Sequence, residues 1–187
     1  DVVILAKCKD QYYALVAENL KSDVLKALPV EYVNGKIYNV ETEDQASIIW
    51  KRVVVDGKTT FKNGDNYLSA VNSAALNLAT EACEWVFEGD MYKIEGSTRT
   101  ILYYTSTGGF KNYSTTNMSN DGVNGEYSSA AITVDPIFAD GDAYHRTTTP
   151  NKFGTICLPF GSANYSGAGF YEFVGRETGK VYLGSVT

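Results

Sequence analysis

WKRVVVDGKTTFKNGDNYLS (residues 50–69) and WVFEGDMYKIEGSTRTILYY (residues 85–104) are two stretches of this chain that follow one pattern. Each opens on a tryptophan, continues into a strand-like segment and reaches a Leu/Tyr pair after the same interval. The interval from Trp50 to Leu68 equals that from Trp85 to Tyr103, 18 residues, so the copies lie 35 residues apart. Because the tryptophans occupy equivalent places, we expect both indole rings to lie in a shared core.

Turn signals separate short strands on both sides of these stretches. Asn34-Gly35 and Asp56-Gly57 are type I′ hairpin signals, and Glu88-Gly89-Asp90 is a further turn. The segment YYALVAEN, residues 12–19, resembles the tail of an earlier copy whose start is missing. Repeated units of this length predict an all-β protein, a β-barrel or β-trefoil-like domain. Two ordinary hairpins with similar spacing would give the same match.

Other segments are interpreted from their local composition. Val2 to Ala6 is a continuous apolar run, which predicts a buried strand. SDVLKALPV, residues 22–30, could form a short helix ended by Pro29, but we favour irregular structure there.

The polar segment from Ala139 to Pro150 divides the chain. We predict a barrel or trefoil-like domain over residues 1–138, a linker over 139–150 and a β-rich C-terminal portion over 151–187. The last portion has strand signals but too few residues for an independent core, so we interpret it as short, truncated and sandwich-like. It either packs on the first domain or opens a second one.

Composition excludes some partners. The net charge of −6 and the absence of any basic run argue against binding to nucleic acid or to anionic lipid. The longest apolar run has five residues, so no membrane insertion is expected. The three cysteines, Cys8, Cys83 and Cys157, form no metal-type pair and predict small buried side chains, although Cys8 and Cys83 could pair.

The aromatic and glycine pattern carries a resemblance. NKFGTICLPF with GFYEFVGRETGKVYL resembles the start of a β-rich C-terminal module in surface and secreted proteins of gut Bacteroidetes. VVILAKC…YYALVAEN…W…NYLS…W…YKIE…RTILYY…GGFKNYS resembles the β-barrel modules that often precede it. The resemblance implies export to the cell surface or the extracellular space, and further domains of the same polypeptide. The abrupt start at Asp1, inside an apolar run, fits a processed product.

Candidate catalytic groups are few. His145 is the single histidine and lies in the predicted linker, where a solvated side chain is the better interpretation. Asp140 to Asp142 and Asn120 to Gly122 offer oxygen ligands, but neither continues into a calcium-binding loop, and turn chemistry explains both. We therefore expect no catalytic residue, no metal and no cofactor.

The cluster RTILYYTSTGGFKNYSTTN, residues 99–117, is the candidate binding site. Alternation along a strand places Tyr104 opposite the core-facing Ile101 and Tyr103. Phe110, Asn112 and Tyr113 follow the Gly-Gly turn. Exposed rings beside amide and hydroxyl groups can stack on sugars or anchor a protein contact, although tyrosines packed at strand edges would give the same pattern. We predict Tyr104, Phe110, Asn112 and Tyr113 as ligand-binding residues.

Three functional hypotheses follow. The first is a non-enzymatic binding or adhesion module of an exported bacterial surface protein, with a glycan or a host or partner protein as ligand. The second is a structural spacer or assembly domain that is completed by strand addition from another chain. The third is a polysaccharide-active hydrolase whose acidic residues the sequence does not identify.

Overall fold

The computed structural model of this protein describes residues 1–70, 75–118, 129–139, 171–177 and 180–185. The chain divides into two compact units, Asp1–Thr147 and Thr148–Thr187. Strands make up most of the described secondary structure, so the predicted all-β class is confirmed.

In the described part of the first unit the strands follow one another closely, with one α-helix and one 3₁₀-helix among them. In chain order they are β1 Val2–Cys8, β2 Gln11–Lys21, β3 Val24–Val33, β4 Lys36–Tyr38, α1 Thr42–Ile48, β5 Ile49–Val55, β6 Lys58–Asn63, β7 Asn66–Ser69, β8 Asn77–Ala79, β9 Trp85–Glu88, β10 Met91–Lys93, β11 Arg99–Tyr104, β12 Gly109–Ser114, the 3₁₀-helix Thr115–Asn117 and β13 Ile132–Val134. In the second unit β14 Tyr171–Glu177 pairs antiparallel with β15 Lys180–Ser185.

The 13 strands described in the first unit form one antiparallel sheet. Its main path runs β10-β9-β6-β5-β1-β2-β3-β12-β11, while β4, β7, β8 and β13 pair with strands of that path or with one another. The two ends of the path approach each other, because Thr100 Oγ1 on β11 donates to the Tyr92 carbonyl on β10 at 3.0 Å. A closed barrel or trefoil arrangement stays a prediction.

Strand β1 lies at the centre of this sheet, which explains its unbroken apolar sequence. It pairs with β2, β5 and β13, and both of its faces are covered. Ile4 belongs to the larger core cluster, whereas its neighbours Val3 and Leu5 belong to a second, smaller one. The prediction of a buried strand over Val2 to Ala6 is confirmed.

Both tryptophans are fully buried in the larger core cluster, as the repeat predicts. The indole N–H of Trp50 donates to the Leu15 carbonyl at 3.1 Å, and that of Trp85 donates to the Leu68 carbonyl at 3.2 Å. Leu15 lies in the segment interpreted as the tail of an earlier copy, and Leu68 closes the first tryptophan-led copy. The indole of each tryptophan therefore donates a hydrogen bond to the last strand of the preceding stretch. This shared contact gives the sequence repeat a physical basis.

The predicted two-residue turns carry the left-handed backbone that they require. At Asn34-Gly35 φ is 51° and 78°, and at Asp56-Gly57 it is 50° and 78°. At Gly89-Asp90 both φ values are 58°. Positive φ at both central residues is the type I′ geometry, so these turns are confirmed.

Two segments differ from the sequence-based expectation. Residues 24–33 form β3, so the preference for irregular structure over residues 22–30 is wrong. Pro29 is opposite Tyr13 of β2 and lies between the parts of β3 that pair with β12 and with β4. On the edge of β3 that faces away from β2, no described strand pairs with β3 at Pro29. The lack of an N–H at Pro29 therefore costs no ladder hydrogen bond to a described strand on that edge. The helix over residues 42–48 was not foreseen.

Candidate functional site

Of the four predicted site residues, two lie partly at the surface and two lie in the core. Tyr104 and Tyr113 are partly exposed. Phe110 is 0% exposed and Asn112 is 1% exposed, so the expectation that these two side chains lie at the surface is wrong. The reason is strand alternation, because Phe110 is opposite the buried Tyr103.

Tyr104 and Tyr113 form a cluster on the outer face of the β11–β12 hairpin. Their ring centroids are 5.0 Å apart, with the ring planes inclined by 36°. The register places Tyr104 opposite Gly109, Leu102 opposite Lys111 and Thr100 opposite Tyr113. The rings thus approach each other across the strand positions of Leu102 and Lys111, and Leu102 is fully buried.

Two cationic side chains, Lys111 and Arg99, flank the two rings. We call the four residues Tyr104, Tyr113, Lys111 and Arg99 the tyrosine cluster. Lys111 Nζ lies 5.9 Å from the Tyr104 centroid and 5.7 Å from that of Tyr113. The Arg99 guanidinium lies 5.7 Å from the Tyr113 centroid. Lys111 Nζ also lies 3.0 Å from Asp23 Oδ2, and the side chain of Lys111 is 14% exposed. Each of these cation–π contacts contributes about 0.5–1 kcal/mol and favours the observed directions of the rings.

Asn112 lies on the opposite, inward face of the hairpin. It is paired with Ile101, a member of the larger core cluster. Its Oδ1 is buried and accepts no hydrogen bond from the residues that the structure describes. Replacing Asn112 therefore changes the packing and polarity of the core, and a loss of binding in such a variant would not identify a contact with a ligand.

A glycine pair lets the β11–β12 hairpin lie close to β3. At Gly109 an added Cβ would lie 2.5 Å from the Leu25 carbonyl oxygen and 2.6 Å from a methyl carbon of Val24. Gly108 has a φ of 68°, which favours glycine. The Gly-Gly signal in the sequence therefore positions the strand that carries Tyr113.

A second surface feature was not recognised in the sequence. Strand β5 pairs with β1 only at Ile49 and Trp50, and its remainder pairs with β6 alone among the described strands. Val53, Val54 and Val55 are 42%, 57% and 62% exposed. The run of three valines in the sequence is a signal for an apolar strand, but the sequence does not show which of its side chains are exposed.

A surface depression of about 420 Å³ lies on the outer face where β6 meets β9. Lys58 is 2.8 Å from Glu84 and 3.6 Å from Glu95 across it. The hydrogen bond to Glu84, together with the charges of Glu84 and Glu95, raises the pKa of Lys58. Lys58 therefore stays protonated at neutral pH and is no base there. The other lining residues are Ala82, Cys83, Val86 and Ile94.

Buried titratable groups belong to the core. Burial raises the pKa of the Cys8 thiol, and burial with a hydrogen bond to Tyr13 raises that of Tyr103. Both groups are therefore protonated at neutral pH. Cys8 and Cys83 are thiols and do not pair with each other, and both contribute to the larger core cluster, as expected of small apolar side chains.

Several candidates from the sequence lie outside the described residues, namely His145, Asp140 to Asp142, Asn120 to Gly122 and Cys157. Within the described ranges, no three His, Cys, Asp or Glu side chains are grouped so that they could hold a metal ion. In the same part of the chain, no helix has both the length and the apolar character needed to cross a membrane.

Comparison with known proteins gives no relative. No protein family, no curated protein and no solved structure matches this chain. The residues of the chain itself must therefore support any functional assignment.

Proposed function

We propose that this chain is a non-enzymatic binding module of an exported bacterial surface protein, and that its ligand is a glycan held at the tyrosine cluster. One observation carries this proposal. Tyr104 and Tyr113 are partly exposed, and their ring centroids lie 5.0 Å apart beside two cationic side chains.

The chemistry of the cluster suits a sugar with acidic groups. Tyrosine rings present an apolar face to the C–H groups of a sugar ring, and a tyrosine hydroxyl can donate and accept hydrogen bonds. Lys111 and Arg99 contribute two positive charges and Asp23 one negative charge, so the cluster is cationic in a chain of net charge −6. A local positive charge attracts carboxylate or sulfate groups on a glycan.

A glycan array of neutral and acidic oligosaccharides tests this proposal. We expect binding of acidic glycans, which Tyr104→Ala and Tyr113→Ala each weaken by about tenfold or more, because each removes a ring at the centre of the contact. Tyr67→Ala is a matched control, since Tyr67 is also partly exposed and has Lys62 at 5.3 Å from its ring centroid. Asn112→Ala is not a suitable variant, because Asn112 is buried.

Two outcomes would change this proposal. Undiminished glycan binding by both tyrosine variants would remove the tyrosine cluster as the site. An empty array, with a host or partner protein bound through Tyr104 and Tyr113, would keep the site and change the class of ligand.

A second candidate function is that of an assembly domain completed by strand addition. The two-stranded β14–β15 sheet favours it, because neither strand has a described partner on its outer edge. Size-exclusion chromatography with light scattering tests assembly, and a monomer at high concentration would contradict it. The hydrolase hypothesis is tested with the glycans of the array as substrates.

A further inference from the structure

Tyr13 and Tyr103 form the closest pair of aromatic rings in the described part of the chain. Their centroids are 4.0 Å apart and their planes are inclined by only 8°. None of the other described ring pairs has centroids closer than 4.8 Å or planes inclined by less than 36°. Aromatic pairs in proteins usually have centroids about 4.5–7 Å apart, in offset or edge-to-face arrangements. The Tyr13–Tyr103 pair is therefore unusually close and nearly face to face.

The hydroxyl groups align the two rings. A hydrogen bond joins the side chains of Tyr103 and Tyr13. The hydroxyl is the one hydrogen-bonding group of a tyrosine side chain, so this bond joins the two oxygens. With the oxygens together and the planes nearly parallel, both rings point the same way. The carbons ortho to one hydroxyl therefore face the corresponding carbons of the other ring.

The pair lies at the boundary of the larger core cluster. Tyr103 is 7% exposed and belongs to that cluster, whereas Tyr13 packs against it and is partly exposed. Their strands, β2 and β11, do not pair with each other, so the two side chains meet through packing alone. Phe110 contacts Tyr103 edge-on, with centroids 5.9 Å apart. The core thus holds Tyr103 in place, and Tyr13 connects the pair to solvent.

We propose that Tyr13 and Tyr103 are a modification site, at which peroxide-derived one-electron oxidants join the two rings by a carbon–carbon bond. This goes beyond the proposed glycan binding, because it uses other residues and changes the chain covalently. The bond links β2 to β11, which are distant in sequence, and such a link restricts the unfolded chain. The described cysteines provide no link of this kind, since Cys8 and Cys83 are free thiols.

The chemistry needs only the two phenols and the oxidant. Each tyrosine loses an electron to the oxidant and its hydroxyl proton to water, which gives two phenoxyl radicals. The unpaired electron lies partly at the ortho carbons, in orbitals perpendicular to the ring, so two facing carbons can form a bond. Each of these carbons then loses its hydrogen as a proton while each oxygen regains one. Two electrons and two protons leave the pair in total, and they convert one molecule of hydrogen peroxide into two molecules of water.

The tyrosine cluster shows why close rings alone are not sufficient. Tyr104 and Tyr113 are 5.0 Å apart, but their planes are inclined by 36°, so their perpendicular orbitals do not face each other. Lys111 Nζ also lies 5.7 Å from the Tyr113 centroid, and a positive charge beside a ring opposes the loss of an electron from it. We therefore expect no cross-link between these two rings.

The Cys8 thiol is the competing reductant in this part of the core. Its charge would raise the pKa of Tyr103, which places the two side chains near each other. Burial raises the pKa of Cys8 itself, so it is a protonated thiol, and oxidation of cysteine follows thiolate character and exposure. We therefore expect the cross-link to form in Cys8→Ala as well. Its loss in that variant would assign the new bond to the thiol and overturn the proposal.

Oxidation of the dilute chain tests the site. Persulfate activated by light and a ruthenium(II) trisbipyridyl complex supplies the one-electron oxidant and accepts the two electrons as sulfate. The expected product has the size of the monomer, the fluorescence of dityrosine and a mass lower by two hydrogen atoms. The same oxidation of the chain unfolded in urea should give much less monomeric product. No dityrosine in the folded monomer, or an equal yield in urea, would overturn the proposal.

Phenylalanine variants identify the two rings. Tyr13→Phe and Tyr103→Phe should each abolish the product, because a phenylalanine ring has no hydroxyl to oxidise, and both keep the ring that fills the core. Tyr12→Phe and Tyr104→Phe are matched controls, since each is the next residue along the same strand and its loss should leave the yield unchanged. Trypsin leaves Tyr12 with Tyr13 in peptide 10–21 and Tyr103 with Tyr104 in peptide 100–111, so the variants are needed besides peptide mapping. A product that persists in Tyr13→Phe, or that disappears equally in a control, would contradict the assignment.

Neither result depends on glycan binding. Tyr13→Phe is expected to leave an array signal unchanged, and Tyr113→Ala is expected to leave the yield of dityrosine unchanged. Failure of one proposal is therefore distinguishable from failure of the other.

Discussion

The two tryptophan-led hairpins begin alike and end differently. In both, the indole is fully buried and its N–H donates to a leucine carbonyl of the preceding stretch. In the second hairpin, strand β9 pairs with β6 at Trp85 and Val86 only, so Phe87 and Glu88 pair with β10 alone among the described strands. In the first hairpin, residues 51–55 of β5 pair with β6 alone among the described strands.

The difference shows how far a repeated sequence pattern controls structure. Anchoring is local, because a tryptophan at the start of a strand needs only an apolar interior and one carbonyl acceptor. Edge pairing depends on what the rest of the chain places beside the strand. The same pattern thus leaves two strand residues with a single described neighbour in one copy and five in the other.

The equivalence of the tryptophans predicts equal losses of stability. Trp50→Ala and Trp85→Ala are each expected to lower the free energy of unfolding by about 3–5 kcal/mol, since each removes a buried ring and orphans a carbonyl. Urea denaturation measures this. Phe87→Ala, at a ring that is 54% exposed, is the control and should cost far less. A large difference between the two tryptophans would break the equivalence.

The turns at Asp56-Gly57 and Gly89-Asp90 are expected to lose stability when a methyl group is added to their glycines. Gly57→Ala and Gly89→Ala should each cost about 1–2 kcal/mol of unfolding free energy, because an L-residue is disfavoured at φ of 78° or 58°. Steric contact adds little, as nothing lies within 4 Å of a Cβ at Gly57 and only Met91 Cε lies at 3.7 Å from one at Gly89. Gly57→Asn should cost less than Gly57→Ala, and the reverse order would contradict the backbone explanation.

Amide hydrogen exchange distinguishes the two strands directly. The amides of Arg52 and Val54 should exchange much faster than those of Val86 and Glu88 on β9, because bonding alternates along a strand and directs the first two away from β6 and the last two to β10. Slow exchange of both amides in a proven monomer would show that β5 has a partner within the chain.

The smallest effect is expected at Lys58, which joins the two hairpins through Glu84. Its pKa is raised, so the stability it contributes is present at neutral pH and is lost as the pH rises through that pKa. Glu84→Gln should move the pKa of Lys58 back towards its usual value, as measured by NMR of the side chain. Glu88→Gln is the control, since Glu88 lies near Lys93 at 3.8 Å. The stability change should be small, because both side chains are exposed.

The candidate site was predictable in part. Alternation from the core-facing Ile101 and Tyr103 correctly placed Tyr104 on the outer face. The residues after the Gly-Gly turn were treated as one exposed group, although they alternate as well. Phe110 and Asn112 therefore lie in the core, while Tyr113 shares the outer face with Tyr104.

The sequence by itself determined the all-β class, the buried tryptophans and the left-handed turns. Each of these depends on local features, namely side-chain period, ring size and the φ that glycine, asparagine and aspartate tolerate. Only the tertiary structure decided that residues 24–33 are a strand, that two tyrosines meet beside Lys111, and that Val53 to Val55 are exposed. These features depend on which distant segments lie side by side, and a single sequence holds no local signal for that.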